Sequence, residues 1–230
     1  MSLTIIYITA NHISEYFAEN VRTQLKKAAK DYPIISVSHK PIDLGENICV
    51  GDIGRNKINI YKQILIGAKA AKTDYVAIAE DDVLYSEDHF KCFRPEMDTF
   101  AYNMNRWSLY TWRKDRLFAL KQRQTNTNLI APRQLLIDTL EERFAKYPEI
   151  SSEKINRHWS EPGKYEKHLG LTERKTCRFN SYQPIIIFSH SEALGYKNLG
   201  KRKRLDPIRA IELPYFGRAE DLIKLYEKDK

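Results

Sequence analysis

Between residues 3 and 80 the hydrophobic pattern switches repeatedly between strand-like and helix-like periods, and that alternation limits the chain more than any other feature. "LTIIYIT" (3–9) is a run of β-branched and aromatic residues that predicts a buried strand. Phe17, Val21, Leu25 and Ala28 then share one helical face, and "PIISVSH" (33–39) predicts a second strand. After a glycine-containing loop, Ile58, Tyr61, Leu65, Ala68 and Ala71 form a second helical stripe, and Asp74 leads into the strand "YVAIA". Strand, helix, strand, loop, helix, strand is the pattern of an α/β fold with a mainly parallel central sheet flanked by helices.

The second half is less regular. The aromatic stretch 98–112 predicts further strands, and Pro132 is placed in the first turn of a helix running through Ala145, with Leu136, Leu140 and Phe144 facing inward. Residues 147–168 are polar, hold two prolines and are read as a functional loop region with short helices. "PIIIF" (184–188) returns as a buried strand, a basic run occupies 195–204, and 218–228 predicts an amphipathic helix. No internal repeat breaks the chain, so 230 residues with 42% hydrophobic content point to one compact domain.

Charge and cysteine usage narrow the function classes. The formal charge of +8 favours polyanions or phosphorylated ligands. Cys49, Cys92 and Cys177 are odd in number and lack C-x-x-C spacing, which argues against a disulfide framework or a structural zinc site and fits a reducing, cytoplasmic setting. The start "MSLTIIYITANH" lacks a basic leader region, and no stretch has membrane-spanning length, so neither secretion nor insertion is expected.

The strand "YVAIA" runs straight into Glu80, Asp81 and Asp82. In parallel α/β sheets, ligands gather outside the carboxyl ends of the strands. Capping or a solvated turn explains many acidic pairs after strands, and Asp82 is a plausible cap. Three adjacent acids repel one another, however, and beside an apolar strand they call for a cation. Oxygen ligands suit magnesium or manganese, which hold phosphate oxygens as readily as carboxylates.

The segment "AIAEDDVLY", set after the strand–helix alternation, resembles the acidic signature of the GT-A glycosyltransferases. "IIYITANH" and the stretch from "ISVSHKPIDLGENICV" to the acidic triplet resemble the first two strands, loop and helix of small family-two-like bacterial and phage members. The resemblance implies a single GT-A-like, Rossmann-like domain, with residues 1–105 as the nucleotide-sugar half and 106–230 as the acceptor half. The triplet reads Glu-Asp-Asp where the family has Asp-X-Asp, so the metal contacts are open; by position Asp82 takes metal, Asp81 the ribose or metal edge, and Glu80 the nucleotide side. Family members often draw a further metal ligand from a late histidine, and His190 after "PIIIF" matches that place, shifting the expected ion from Mg2+ toward Mn2+.

The remaining site residues follow with their plainer alternatives. Thr9, Ala10 and Asn11 end the first strand, either to admit and read a nucleobase or as an ordinary turn. Gly54 and Arg55 in "GDIGRNK" offer close backbone approach and a phosphate or ribose partner, or else a surface loop. Lys201 and Arg202 in the basic run are placed as a lid over the diphosphate, or as a solvated loop or nucleic-acid contact. An inverting transfer needs a carboxylate to take the acceptor proton, and the sequence leaves inversion and retention both open; Glu161 in "SEPG" is the first choice of base and Glu166 the second, with a solvent-exposed Glu before proline as the plainer reading. Arg106, Arg113, Lys114, Arg116, Lys121 and Arg123 lie among Trp107, Tyr110 and Trp112, either to stack bases or sugars or as basic outer faces of core strands.

These residues lead to a metal-dependent glycosyltransferase that uses a nucleotide-sugar. Its acceptor is a glycan, a lipid-linked saccharide or a hydroxymethylated base in DNA. A metal-dependent nuclease is the alternative that explains the charge, but it explains the glycines before the acids poorly, and no E-x-K pair lies on one strand. A non-catalytic α/β nucleic-acid-binding module, with the acids as caps, is the third.

Overall fold

The first half forms β1 (Leu3–Thr9), α1 (Glu15–Ala29), β2 (Ile34–Ser38), β3 (Glu46–Cys49), α2 (Lys57–Ala70) and β4 (Tyr75–Glu80). The computed structural model describes residues 2–149, 157–190 and 207–227. Ser14 caps α1 by accepting from the Phe17 N–H, and Asn56 caps α2 by accepting from the Asn59 N–H. In the sheet β1 lies between β2 and β4, parallel to both, with Ile8 beside Glu80 and Thr9 beside Ser38.

The chain continues through β5 (Val83–Leu84), α3 (Glu87–Lys91), β6 (Thr99–Asn103), β7 (Arg106–Tyr110), β8 (Phe118–Leu120), β9 (Leu129–Pro132) and α4 (Arg133–Lys146). It then forms the single turn α5 (Glu166–Leu169), β10 (Lys175–Phe179), β11 (Ile185–Ser189), the short strands β12 (Arg209–Ala210), β13 (Glu212–Leu213) and β14 (Gly217–Arg218), and α6 (Ala219–Glu227). The main sheet has the order β10-β6-β9-β4-β1-β2-β3. Only β9 runs antiparallel within it. A second sheet, β12-β8-β7-β11-β5, packs beyond α1.

Alternation along β1 serves two cores. Leu3, Ile5 and Tyr7 pack with Leu25 and Ala28 of α1, whereas Ile6 and Ile8 pack with Ile58, Tyr61 and Ile64 of α2. A side chain at Gly67 would lie 2.4 Å from Ile6 Cγ2, so the glycine lets α2 settle directly on β1. The other face of α1 carries Phe17 and Val21 against Phe188, Leu109 and Ile223, which joins the two sheets and α6.

The expected α/β fold with a mainly parallel sheet is present, and it is a single fold in which second-half strands complete the first-half sheet. Three details differ from the sequence expectation. Leu129–Pro132 is a strand, and Pro132 is its last residue opposite Tyr75, one place before the helix begins. Glu46–Cys49 forms an edge strand inside what reads as a loop. Ile185–Ser189 joins the second sheet, parallel to β7 and antiparallel to β5. No helix among the described residues is long and apolar enough to cross a membrane.

Candidate active site

A cleft open to solvent lies at the carboxyl ends of β1, β2 and β4. Thr9, Ala10, Gly54, Arg55, Glu80, Asp81, Asp82 and His190 all line it. So do His12, His39, Asn59 and Gln63, which the sequence reading did not select. A signal exists for three of them: His39 directly follows β2 at the same sheet edge, and Asn59 and Gln63 are polar residues four apart on the buried face of α2.

Local hydrogen bonds shape the cleft. Gln63 Nε2 donates to the carbonyls of Thr9 and Val37, each at 2.9 Å, and so ties the ends of β1 and β2 together. Asn59 Nδ2 donates to the carbonyls of Ile53 and, at 3.0 Å, Gly54, which holds the glycine loop against the start of α2. Gly54 itself has φ +81°, a conformation that favours glycine. Asn11 stands apart: its Oδ1 accepts from the Lys40 N–H at 2.9 Å, and it lines a neighbouring cleft with Arg22 and Lys26.

The acidic edge is assembled by strand pairing. β5 begins one residue after Asp82 and pairs with β11, so that Phe188 N–H donates to the Asp82 carbonyl at 2.9 Å. His190, two residues further on, is thereby brought to the acids from more than a hundred positions away. Its ring is 2% exposed, packs edge-on to Phe17, and holds Nε2 3.5 Å from Asp82 Oδ2. Asp82 Oδ1 and His190 Nδ1 are buried without a hydrogen-bond partner. Thr9 Oγ1 donates to Asp81 Oδ2 at 2.5 Å.

The charge crowding expected from the sequence is present in three dimensions. Burial, then Asp82 and Asp81, push the Glu80 carboxyl well above its usual range. Burial and Asp82 raise Asp81 to about 6, against the Thr9 hydrogen bond. A buried cation faces the cluster: the field of Arg106 favours ionised Glu80. Burial and then Arg123 lower Arg106 to about 9, while Asp82 and Glu80 pull it back up. The expectation of Arg106 on a basic outer face is therefore corrected, because it is 3% exposed and its Nε has no hydrogen-bond partner.

The two proton-acceptor candidates separate. Glu161 is partly exposed, accepts from Ser160 Oγ at 2.8 Å, and lies 3.7 Å from Lys164 Nζ. Its charge is a small part of what raises Glu80, and a larger part of what raises Tyr61, after burial in each case. Glu166 is buried in an ion pair with Arg143 and has no free face for an acceptor, which corrects its place as second choice. Lys201 and Arg202, with the rest of the basic run through Arg204, lie outside the described residues.

Residues able to hold a divalent ion are Asp82 and His190, with Asp81 beside them. Among the described residues no three His, Cys, Asp or Glu side chains gather into a complete metal cage. The 3.5 Å between Nε2 and Oδ2 is close to the roughly 3 Å expected between neighbouring ligands with bonds of about 2.1 Å. The partnerless Asp82 Oδ1 supplies a further acceptor.

No family model matches the sequence, and no curated protein matches it. Solved structures do match in fold. A glycosyltransferase involved in the glycosylation of the major capsid of PBCV-1 aligns over 88% of this chain and 98% of its own, with TM-score 0.50 and 8% identity. The 2-C-methyl-D-erythritol 4-phosphate cytidylyltransferase from Thermus thermophilus aligns over 84% and 95%, with TM-score 0.50 and 9% identity. The bifunctional IspDF from Campylobacter jejuni aligns over 80% of this chain with TM-score 0.45 and 11% identity, and the chain spans half of that protein's length, 50%. The chain thus shares its α/β fold with that capsid-modifying glycosyltransferase and that cytidylyltransferase. At these identities the likeness concerns the fold alone.

Proposed function

We propose that the chain is a metal-dependent glycosyltransferase that moves a sugar from a nucleotide-sugar to an acceptor hydroxyl. The observation that carries this reading is the meeting of Asp82 and His190 at the carboxyl edge of β4, each with a buried atom lacking a partner. Asp82 and His190, with Asp81, would hold Mn2+ or Mg2+, and Thr9, Ala10, Gly54 and Arg55 line the space for the nucleotide. When bound, the ion supplies Lewis-acid neutralisation of the diphosphate charge. In a direct displacement, the acceptor oxygen bonds to the anomeric carbon as that carbon's bond to the phosphate oxygen breaks. The acceptor proton passes to Glu161, and the bonding electron pair leaves with the nucleoside diphosphate. A net charge of +8 suits an acidic acceptor, a modified DNA base or a phosphorylated glycan among them.

Nucleotidyl transfer uses the same fold and is the competing chemistry. A panel of nucleotide-sugars, and separately nucleoside triphosphates with sugar phosphates, separates the two with Mn2+ present. Release of nucleoside diphosphate from a nucleotide-sugar supports the proposal, and release of pyrophosphate from a triphosphate moves the chain to the other class. If calorimetry finds no nucleotide binding that depends on the metal, both readings fail.

A further inference from the structure

Arg143 is a cation sealed in the core, with its side chain 0% exposed, and it is aimed at one short segment. From α4 its Nη1 donates to the Ser160 carbonyl at 2.5 Å and its Nη2 to the Glu161 carbonyl at 3.3 Å. Its Nε donates to Glu166 Oε1 at 3.1 Å, and Nη2 closes the ion pair with the same carboxylate. The other Glu166 oxygen accepts from the Tyr165 N–H at 3.2 Å. The guanidinium also lies 5.6 Å from the ring centres of Tyr61 and Trp159. Every polar arm of Arg143 therefore ends on residues 160–166.

Such an arrangement is a poor way to gain stability. Desolvating two charges offsets most of their attraction, and apolar groups of similar size serve a core as well or better. What the pair supplies is geometry. It fastens the backbone on either side of Pro162, whose carbonyl accepts from Tyr102 OH, to α4 and to the main sheet. Gly163, at φ +82°, turns the chain where a Cβ would meet Thr176 Cγ2 at 2.4 Å. The only carboxylate in this fastened segment that is not spent on Arg143 is Glu161, whose charge is felt at Glu80 of β4.

We infer that the buried Arg143–Glu166 pair positions Glu161 beside the acidic edge, an inference that rests on the transferase reading of that site. Arg143 and Glu166 are positioning residues, since neither faces the cleft. The consequence is that their removal acts on turnover through Glu161 and leaves the metal and nucleotide contacts intact.

The test replaces both partners with apolar groups of similar size, Arg143→Met with Glu166→Leu, because single replacements strand a buried charge and unfold the site. Hydrogen exchange of amides 159–165 reads the fastening without turnover. At least tenfold faster exchange there, with β1 and β4 unchanged, is expected, and unchanged protection overturns the inference whatever the chain's reaction. Kinetics read the link to Glu161. The paired variant should lower kcat about tenfold or more with donor KM within threefold, and in a Glu161→Gln background the same pair of changes should lower kcat less than threefold. Full losses that multiply in that background overturn the link to Glu161, as does wild-type kcat in a folded paired variant. Loosened amides in a chain that consumes no nucleotide-sugar would leave the fastening standing and remove the transferase reading.

Discussion

At Asp82 the proposed chemistry turns on one carboxylate whose Oδ1 is buried without a hydrogen-bond partner. Replacing it with asparagine keeps the shape and removes one of three crowded negative charges. Asp82→Asn should therefore lower metal-dependent donor turnover about 10²–10³-fold, while the metal-free melting temperature holds or rises; full turnover would remove Asp82 from the mechanism. His89 shows the opposite case of a buried group with no role in the cleft. The Asn103 amide sits 3.0 Å from His89 Nδ1, Nε2 has no partner, and burial lowers the imidazole to about 3. The unfolded chain binds a proton near pH 6.5 that the folded chain refuses, so this contribution is intact above 6.5 and lost as pH falls toward 3. Urea melts should show stability falling by up to about 1.4 kcal/mol per pH unit from this group over that window, with a flatter slope in His89→Gln. Thr9 and the acidic triplet were readable as residues of the sheet edge, because the end of a strand is visible in sequence. Arg106 was not, since whether a strand's first residue faces solvent or the back of the acids depends on the sheet it joins.

At the scale of elements, α2 sits directly on β1 at Gly67. Gly67→Ala gains at most about 1 kcal/mol in helix propensity, but its methyl meets Ile6 at 2.4 Å. Overpacking of this kind costs about 1–3 kcal/mol, so a net loss, read as a lower melting temperature with the same circular dichroism, is expected. An unchanged or higher melting temperature would mean that α2 is free to slide on β1. The pattern of α1, α2, β1, β2 and β4 was legible because each has a long enough run to show its period. β9 was not: Leu129–Pro132 is four apolar residues running into a helix, and so short a run has the same appearance in a strand or a helix onset. β5 has two residues and no period at all, yet its pairing with β11 delivers His190 to Asp82.

For the whole molecule, a ligand that relieves the acidic edge must stabilise the folded chain against the unfolded one. Asp81, raised to about 6 from 3.8, favours folding fully below 3.8, and that contribution is lost as pH rises through 6. Mn2+ with a nucleoside diphosphate should accordingly raise the melting temperature by several degrees at about pH 7.5 and by less at about pH 5, where a proton competes for the same carboxylate. A shift independent of pH would place the ion away from Asp81. The amino-acid sequence alone determined the α/β class, the buried strands β1 and β4, and the charge crowded at the end of β4, because period and local charge are properties of neighbours along the chain. The tertiary structure decided which distant groups meet that charge, His190 and Arg106 through the second sheet, and that Glu166 is consumed in a buried pair with Arg143. Those meetings depend on strand pairing and on which face of an element is covered, and contacts made across long stretches of chain leave no periodic trace in the sequence.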